Sequence, residues 1–450
     1  MVRISNLPEE LACHVISFLS TKDAARLKYA SKNWYSLVTI IQSCVFDDSS
    51  SAINGSFKDF ADRFVSPRHE SHHRIKRFSL TLTSSSLDPS QYDTVKDCLR
   101  SVFKRGVLDL ELDIRVGYDD QEDVDDDKYS LPLELFTCKS VVKLRLGSGF
   151  VIDHLPKNAL LPSLKTLFLD SVRFNDTTDG GCAFTRLISA CPVLEELLIY
   201  GHNCEDWNWS CVVSSKILKR LTIHRKQWDN DGDFESISFD TPSLEYFDYF
   251  DVLRDHYPVV NLSSLVEAKI ELPPLYNGDT YDVTNLIKGL KHVQILIIGF
   301  PDTMQLFWAF REAVPVFENL FHLSVWTEEP ICWAALVILV KRSPNLKSLT
   351  IEALHCDTTE EGVESVCKCV EGYSFLLSCP IEILKINQFH GYIGEMAQIK
   401  HILEKLQCLV LLEVHVEGRS DDDLQILVDL LMLPRASSKC KVQVMFSETN

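Results

Sequence analysis

The clearest order in this chain is a pattern of apolar positions that recurs from about Arg74 onward. An apolar anchor, usually Leu, is followed after two polar residues by two apolar positions that alternate with polar ones. The cleanest copies are LPSLKTLFL (161–169), CPVLEELLI (191–199), SKILKRLTI (215–223), TPSLEYFDY (241–249), FENLFHLSV (317–325) and SPNLKSLTI (343–351). Looser copies are HRIKRFSLTL (73–82), RGVLDLELDI (105–114), CKSVVKLRL (138–146), LSSLVEAKI (262–270) and LKHVQILII (290–298). Alternation over a few residues is the period of a strand with one buried face, and the preceding Leu anchors the turn into it. Copies fall roughly 21–34 residues apart, within the range of leucine-rich repeats. Helical stretches are expected between copies at Ala183–Ala190, Met304–Ala313 and Trp333–Val340. Strand plus helix at that period predicts an α/β solenoid, a curved parallel sheet with helices outside, over residues 73–370.

The two ends read differently. Residues 1–46 predict three short helices: Pro8 sits where a helix start tolerates proline, and Leu11, Val15, Phe18 and Leu19 recur at helical spacing. Thr21 and Ser31 are capping residues for the next two, the last carrying Trp34, Leu37, Val38 and Ile41 on one face. So small a unit cannot enclose all of these side chains, so part of its apolar surface is expected to face a partner. Residues 47–72, rich in Ser, Asp and Arg, predict a linker with a short helix at Phe57–Phe64. Residues 371–450 predict a strand at Ile383–Ile386, a helix at Glu395–Lys405, a strand at Leu411–Val416, a helix at Asp422–Leu431 and a last strand at Lys441–Phe446. A repeat array needs a terminal element over its last apolar face, and this α/β segment is the expected cap.

Composition narrows the function classes. The 450 residues carry 45 basic and 64 acidic side chains, a net charge of −19, which argues against nucleic acid as a partner. No apolar run approaches the roughly 20 residues that span a bilayer. The stretch Leu11–Leu19, interrupted by His14 and preceded by Glu9 and Glu10, is a poor signal peptide. The fifteen cysteines, scattered without framework spacing, are then expected as free thiols in the nucleus or cytoplasm.

Candidate chemistry is sparse. Cys367 and Cys369 have the wrong spacing for a zinc site, and His69, His72 and His73 are no better placed, so no metal is expected. The acidic run Asp119–Asp127 lacks the glycine and closing glutamate of a calcium loop and reads as a solvated excursion. Gly147-Ser148-Gly149 follows a strand without the third glycine of a dinucleotide site. Neither a catalytic group nor a cofactor is indicated.

Three stretches together resemble a known family. Ile4-Ser5-Asn6-Leu7-Pro8-Glu9-Glu10-Leu11, Ile16-Ser17-Phe18-Leu19, Thr21-Lys22-Asp23-Ala24 and Ser31-Lys32 before Trp34 look like a plant-type F-box. The tail, with Leu384-Lys385-Ile386, Phe389, Gly391, Ile402-Leu403-Glu404 and Leu433-Pro434-Arg435-Ala436-Ser437-Ser438 before Cys440, looks like the FBD region of such proteins. With the repeats between, the resemblance spans nearly the whole chain. It implies a non-catalytic, substrate-choosing subunit of an SCF (Skp–cullin–F-box) ubiquitin ligase. By position, Leu7, Pro8, Leu11, Ile16, Leu19 and Trp34 would face the Skp-type adaptor, which ties the chain to a cullin, while the repeats hold a protein substrate. Two positions depart from the family pattern. Ser20 stands where Pro usually follows the first helix, and Asn33 where Arg usually precedes the Trp, which removes a polar contact but leaves the apolar patch. Two other readings stay open: a repeat scaffold that recruits no ligase, and a small-molecule receptor whose pocket Trp207, Trp209, Tyr246, Tyr249 and Trp326 would line.

Overall fold

The computed structural model describes residues 43–47, 75–83, 89–115, 129–152, 154–174, 183–202, 211–226, 236–273, 281–327, 330–354, 374–417 and 423–446. The three helices expected in residues 1–46, apart from residues 43–46, the helix expected at Phe57–Phe64, the acidic run Asp119–Asp127, the linker histidines and Cys367–Cys369 lie outside them. The chain divides into two compact units, residues 1–218 with 227–234 and residues 219–226 with 235–450.

In the first unit six strands lie side by side in chain order, every described pair parallel: β1 (Ser43–Asp47), β2 (Ile75–Thr83), β3 (Val107–Arg115), β4 (Lys143–Leu146), β5 (Thr166–Asp170) and β6 (Glu196–His202). In the second unit nine strands continue the same logic: β7 (Arg220–Lys226), β8 (Tyr246–Phe250), β9 (Glu267–Glu271), β10 (Ile295–Ile298), β11 (His322–Thr327), β12 (Ser348–Leu354), β13 (Ile383–Phe389), β14 (Leu411–Val416) and β15 (Lys441–Phe446). All eleven copies of the sequence pattern are strands of these two ladders, and the three strands expected in the tail are β13 to β15. The tail thus carries the ladder on to its last strand.

Each position of the repeat has a physical task. The anchor Leu and the two alternating apolar residues all point inward; Leu164, Leu167 and Leu169 are fully buried, as are Leu320, Leu323 and Val325. Burying one such side chain stabilises by about 1.5–3 kcal/mol. The polar residue before the anchor ties one repeat to the previous one: Ser163 Oγ donates to the Lys139 carbonyl at 2.7 Å, and Asn345 Nδ2 to that of Glu318 at 2.8 Å. The backbone fixes register at the strand entrance. The Lys165 carbonyl accepts from both Glu195 and Glu196, and the Phe321 carbonyl from both Lys347 and Ser348, at 2.8–3.0 Å. Repeats of unequal length therefore enter the sheet level with one another.

The connections vary. Helices α1 (Pro89–Arg105), α2 (Ala183–Ser189), α3 (Thr284–Gly289), α4 (Pro301–Ala309), α5 (Pro330–Lys341), α6 (Ile393–Leu403) and α7 (Asp423–Met432) cover some strands. Others are backed by short extended runs such as Ile237–Asp240. The repeat pattern does not mark α1, which buries Val95, Cys98, Leu99 and Val102 at helical spacing and ends at Gly106, whose φ of +78° suits a helix terminus. Nor does it mark β1, which lies across the expected boundary between helical module and linker.

In the tail, Glu395 is buried and accepts from the backbone N–H groups of His390 and Tyr392, both at 3.0 Å, which starts α6. The Leu433–Cys440 stretch is a structural clasp. Arg435 donates to the Leu431 carbonyl at 2.7 Å and to the Cys440 carbonyl at 3.1 Å, joining the end of α7 to the start of β15.

Candidate docking surface

The residues expected to meet an adaptor, Leu7, Pro8, Leu11, Ile16, Leu19 and Trp34, lie outside the described residues. What the structure does present is the outward row of each strand, largely polar, which faces away from the core. Strand alternation puts these side chains on one face of each ladder, about 4.8 Å apart from strand to strand.

In the first unit the register lines up Ser79, Glu111, Arg145, Phe168 and Leu198. Glu111 bridges two arginines, with Arg77 Nη2 at 2.9 Å and Arg145 Nε at 3.5 Å. The Arg145 guanidinium lies 3.9 Å from the centre of the Phe168 ring, which stacks on Tyr200 at 5.1 Å. Exposed pairs of this kind contribute about 0–1 kcal/mol each, so their effect is to hold side chains in place rather than to stabilise the fold.

The second unit has a different centre. Its first strands carry charge: His224 Nε2 lies 2.9 Å from Asp248, the Tyr246 hydroxyl donates to Asp248 at 3.4 Å, and Lys269 pairs with Glu271 at 2.9 Å. Its later strands carry charge as well. Glu352 accepts from Ser324 Oγ and from Asn387 Nδ2, both at 2.7 Å. Glu413 lies 2.9 Å from His415 and 3.2 Å from Lys385, and the hydrogen bond from His415 helps hold its carboxyl below the usual range. Between these groups β10 turns isoleucines outward, and the outward row of β11 adds Trp326 to His322 and Ser324. Ile295, Ile297 and Trp326 are half-exposed on β10 and β11, and Phe300 brings its ring to 5.9 Å from Phe250 of β8. A partly exposed apolar patch flanked by mutually paired charges is compatible with a protein-binding surface.

Of the aromatic residues considered for a small-molecule pocket, Tyr246 and Trp326 are on this face and half-exposed. Trp207 and Trp209 lie outside the described residues. Tyr249 does not line the face; its parity in β8 turns it inward, where it is fully buried. There its hydroxyl donates to Asp251 at 3.3 Å, and the Tyr257 hydroxyl lies 3.4 Å away. Asp251 also accepts from Arg225, from Arg254 Nη2 at 3.1 Å and from the Val252 backbone at 2.9 Å. Burial pushes the Asp251 carboxyl up, but the two guanidiniums outweigh it and leave it below the ordinary range. This cluster was readable in outline. Inward parity continued one step past Ile223 and Tyr249, which are partners in register, sets Arg225 opposite Asp251.

Four of the buried cysteines are not activated nucleophiles. Burial pushes Cys44 and Cys379 up to about 11 and Cys98 and Cys191 to about 12, so these thiols stay protonated at neutral pH. Among the described residues no group of three or more His, Cys, Asp or Glu side chains is placed to hold a metal ion, and no helix is long and apolar enough to cross a membrane. Gly147 and Gly149 form a turn against the previous strand. A Cβ on Gly149, whose φ is +85°, would come within 2.8 Å of the Ile114 carbonyl.

Comparison with known proteins adds what the geometry leaves open. The F-box domain model matches residues 4–45, and the model described as FBD-associated F-box protein At5g56370, LRR repeats, matches residues 95–263. The chain is 67% identical over 449 residues to the F-box protein At3g62430 of Arabidopsis thaliana, covering 99% of this chain and 100% of the relative. The chain belongs to the plant F-box/LRR-repeat family. It is 56% identical to the putative F-box/LRR-repeat protein At5g15620, over 99% and 100% of the two chains, and 34% identical to the putative F-box/FBD/LRR-repeat protein At3g59240, over 98% and 89%, both from the same plant. Its general role is that of an F-box protein, substrate recognition. The F-box match covers all six residues expected to face an adaptor, and the repeat match covers strands β3 to β8.

Proposed function

We propose that this F-box/LRR-repeat protein is the substrate-choosing subunit of an SCF-type ubiquitin ligase in the nucleus or cytoplasm. Leu7, Pro8, Leu11, Ile16, Leu19 and Trp34 dock on a Skp-type adaptor and through it on a cullin. The outward rows of the ladder hold the protein substrate, with Ile295, Ile297, Phe300 and Trp326 as the apolar centre of the contact. The observation that carries the reading is the presence on one chain of an F-box and a repeat ladder with an apolar patch beside paired charges on its outward face. Such a subunit acts by proximity: fixing a substrate beside a charged ubiquitin-conjugating enzyme raises the effective concentration of its lysines, and the chain itself supplies no reacting group.

The test is co-purification of the full chain with adaptor and cullin. Leu11→Asp combined with Trp34→Ala should abolish both. Undiminished adaptor binding by that variant refutes the assigned surface, and a wild-type chain that never captures adaptor but keeps other partners favours the scaffold reading.

A further inference from the structure

We propose that the docking face selects protein segments in which an arginine stands beside an apolar residue, the arginine read by Glu352 and the apolar residue by Ile297 and Trp326. The proposal rests on the reading that the outward rows hold the substrate, and it names the chemistry they favour.

Glu352 differs from its neighbours on this face in what it pairs with. Glu271 is matched by Lys269, and Glu413 by Lys385 and His415. The partners of Glu352 are neutral: Ser324 Oγ donates to one carboxylate oxygen and Asn387 Nδ2 to the other, both at 2.7 Å. These donors fix the direction of the carboxylate without cancelling its charge. His322 feels that charge, yet burial and Lys385 hold its imidazole below the ordinary value, so it is neutral at pH 7. A carboxylate offers about four acceptor directions, and those left over on the two oxygens suit the parallel N–H groups of a guanidinium. An ammonium is a point charge and cannot use both in this way.

The backbone at this level presents the group. Strand β12 runs level with β11 as far as Ile351, opposite Val325; then the register shifts, and Leu354 rather than Ala353 stands opposite Thr327. The shift follows Glu352 directly. Ala353 and Leu354 are both buried, which breaks the alternation, and the buried Thr327 donates its hydroxyl to the Ala353 carbonyl at 2.6 Å. On the other side β13 has its own irregularity between Ile386 and Phe389, where Asn387 lies. Bulges re-aim side chains and gather beside active sites. Here Glu352 and Asn387 each sit at one, and the half-exposed Trp326 lies at the first of them, on β11.

Charge complementarity fixes the sign of the partner. The whole chain carries a net charge of −19. In sequence β11 is followed by Glu328 and Glu329, and residues 355–373, after β12, hold five acidic side chains against one lysine. An arginine approaching this side of the sheet meets an attractive potential, and an acidic segment a repulsive one. Trp326 offers a ring for the guanidinium or its stem to lie against. Ile297, in register with Ser324, takes the adjoining apolar side chain.

The experiment selects random peptides displayed on phage against the immobilised full chain. Wild type should enrich peptides with arginine next to an apolar residue. Glu352→Gln, which keeps the side-chain shape, should lose the arginine preference at an unchanged melting temperature, and Glu413→Gln should keep it. In one enriched peptide, replacing the arginine by citrulline removes the charge and keeps the outline. Fluorescence anisotropy should then show binding weakened about tenfold on wild type and unchanged on Glu352→Gln, as expected when the two groups meet. The citrulline exchange reads the contact without altering the chain. A wild-type selection with no arginine enrichment, or a preference that survives Glu352→Gln, overturns the proposal. The docking face still stands in that case if Trp326→Ala with Ile297→Asp abolishes binding of the peptides that are enriched. Enriched peptides that bind this double variant undiminished overturn the docking face itself, and the arginine reading with it.

Discussion

Asp251→Asn is the substitution on which the inner architecture of the second unit can be judged. The side chain keeps its shape and loses its charge. In the wild type the carboxylate is fully buried and takes hydrogen bonds from Arg225, Arg254, the Tyr249 hydroxyl and the Val252 backbone. Both arginines are nearly as buried, so the variant leaves two guanidiniums without the carboxylate that balances them. Removing one partner of a buried ion pair costs about 3–5 kcal/mol, because the other is left uncompensated rather than because the pair itself was worth that much. For a unit of roughly 200 residues, that lowers the melting temperature by about 6–20 °C. The assay is urea denaturation of wild type, Asp251→Asn, Arg225→Met and the double variant. The double variant should lose clearly less than the sum of the singles, since removing Arg225 relieves part of the imbalance. The pH dependence follows in sign. The carboxyl is held below its unfolded value near 3.9, so its contribution is complete above about pH 5 and disappears as the pH falls through the depressed value. The difference between wild type and Asp251→Asn should therefore shrink in acid. A loss below about 1 kcal/mol at pH 7, or additive single losses, refutes the cluster as a coupled core.

Other outcomes follow from the same structure. Trp326→Ala with Ile297→Asp, on the outward row, should abolish capture of substrate while leaving adaptor binding and the melting temperature nearly unchanged, as judged by affinity purification with the proteasome blocked. Gly149→Ala should cost about 1–3 kcal/mol in denaturant titration, because the position needs a left-handed backbone and the new methyl meets the Ile114 carbonyl. Arg435→Ala, which unties α7 from β15, should speed hydrogen exchange in residues 441–446 before it affects strands nearer the middle of the ladder.

The ladder was legible in the sequence because each repeat states its inward positions three times, at the anchor and at two alternating residues. That redundancy tolerated Ala268 in place of a larger residue, and Val293 in place of the anchor Leu. Helix α1 was harder to see, since its buried residues Val95, Cys98, Leu99 and Val102 are interleaved with charged ones and fall between two loosely matching repeats. Tyr249 shows how aromatic residues mislead: a ring on a strand reads as surface or core only once parity is counted, and parity sends Tyr246 outward and Tyr249 inward. The apolar centre of the docking face was not visible as such. Ile295, Ile297 and Phe300 come from β10 and the residues just after it, Trp326 comes from β11, and the parallel pairing of these two strands sets the two repeats side by side.

The outward face also says which of its residues can choose a substrate. Most of its charges already have partners within the ladder, as Glu111 has Arg77 and Arg145, and as Glu413 has His415 and Lys385. A charge so engaged gains little by meeting a second partner, because it must exchange one set of contacts for another. The apolar side chains have no charge to pair anew, and releasing water from them on contact is a net gain. Discrimination should thus rest on the shape offered to Ile297 and Trp326, with the paired charges setting orientation and rejecting mismatched partners. Exchanging Glu413 for Gln should then slow association and change its salt dependence, whereas Trp326→Ala should speed dissociation. The reverse division, read by surface plasmon resonance against a captured substrate, would place the selecting contacts on the charged rim instead.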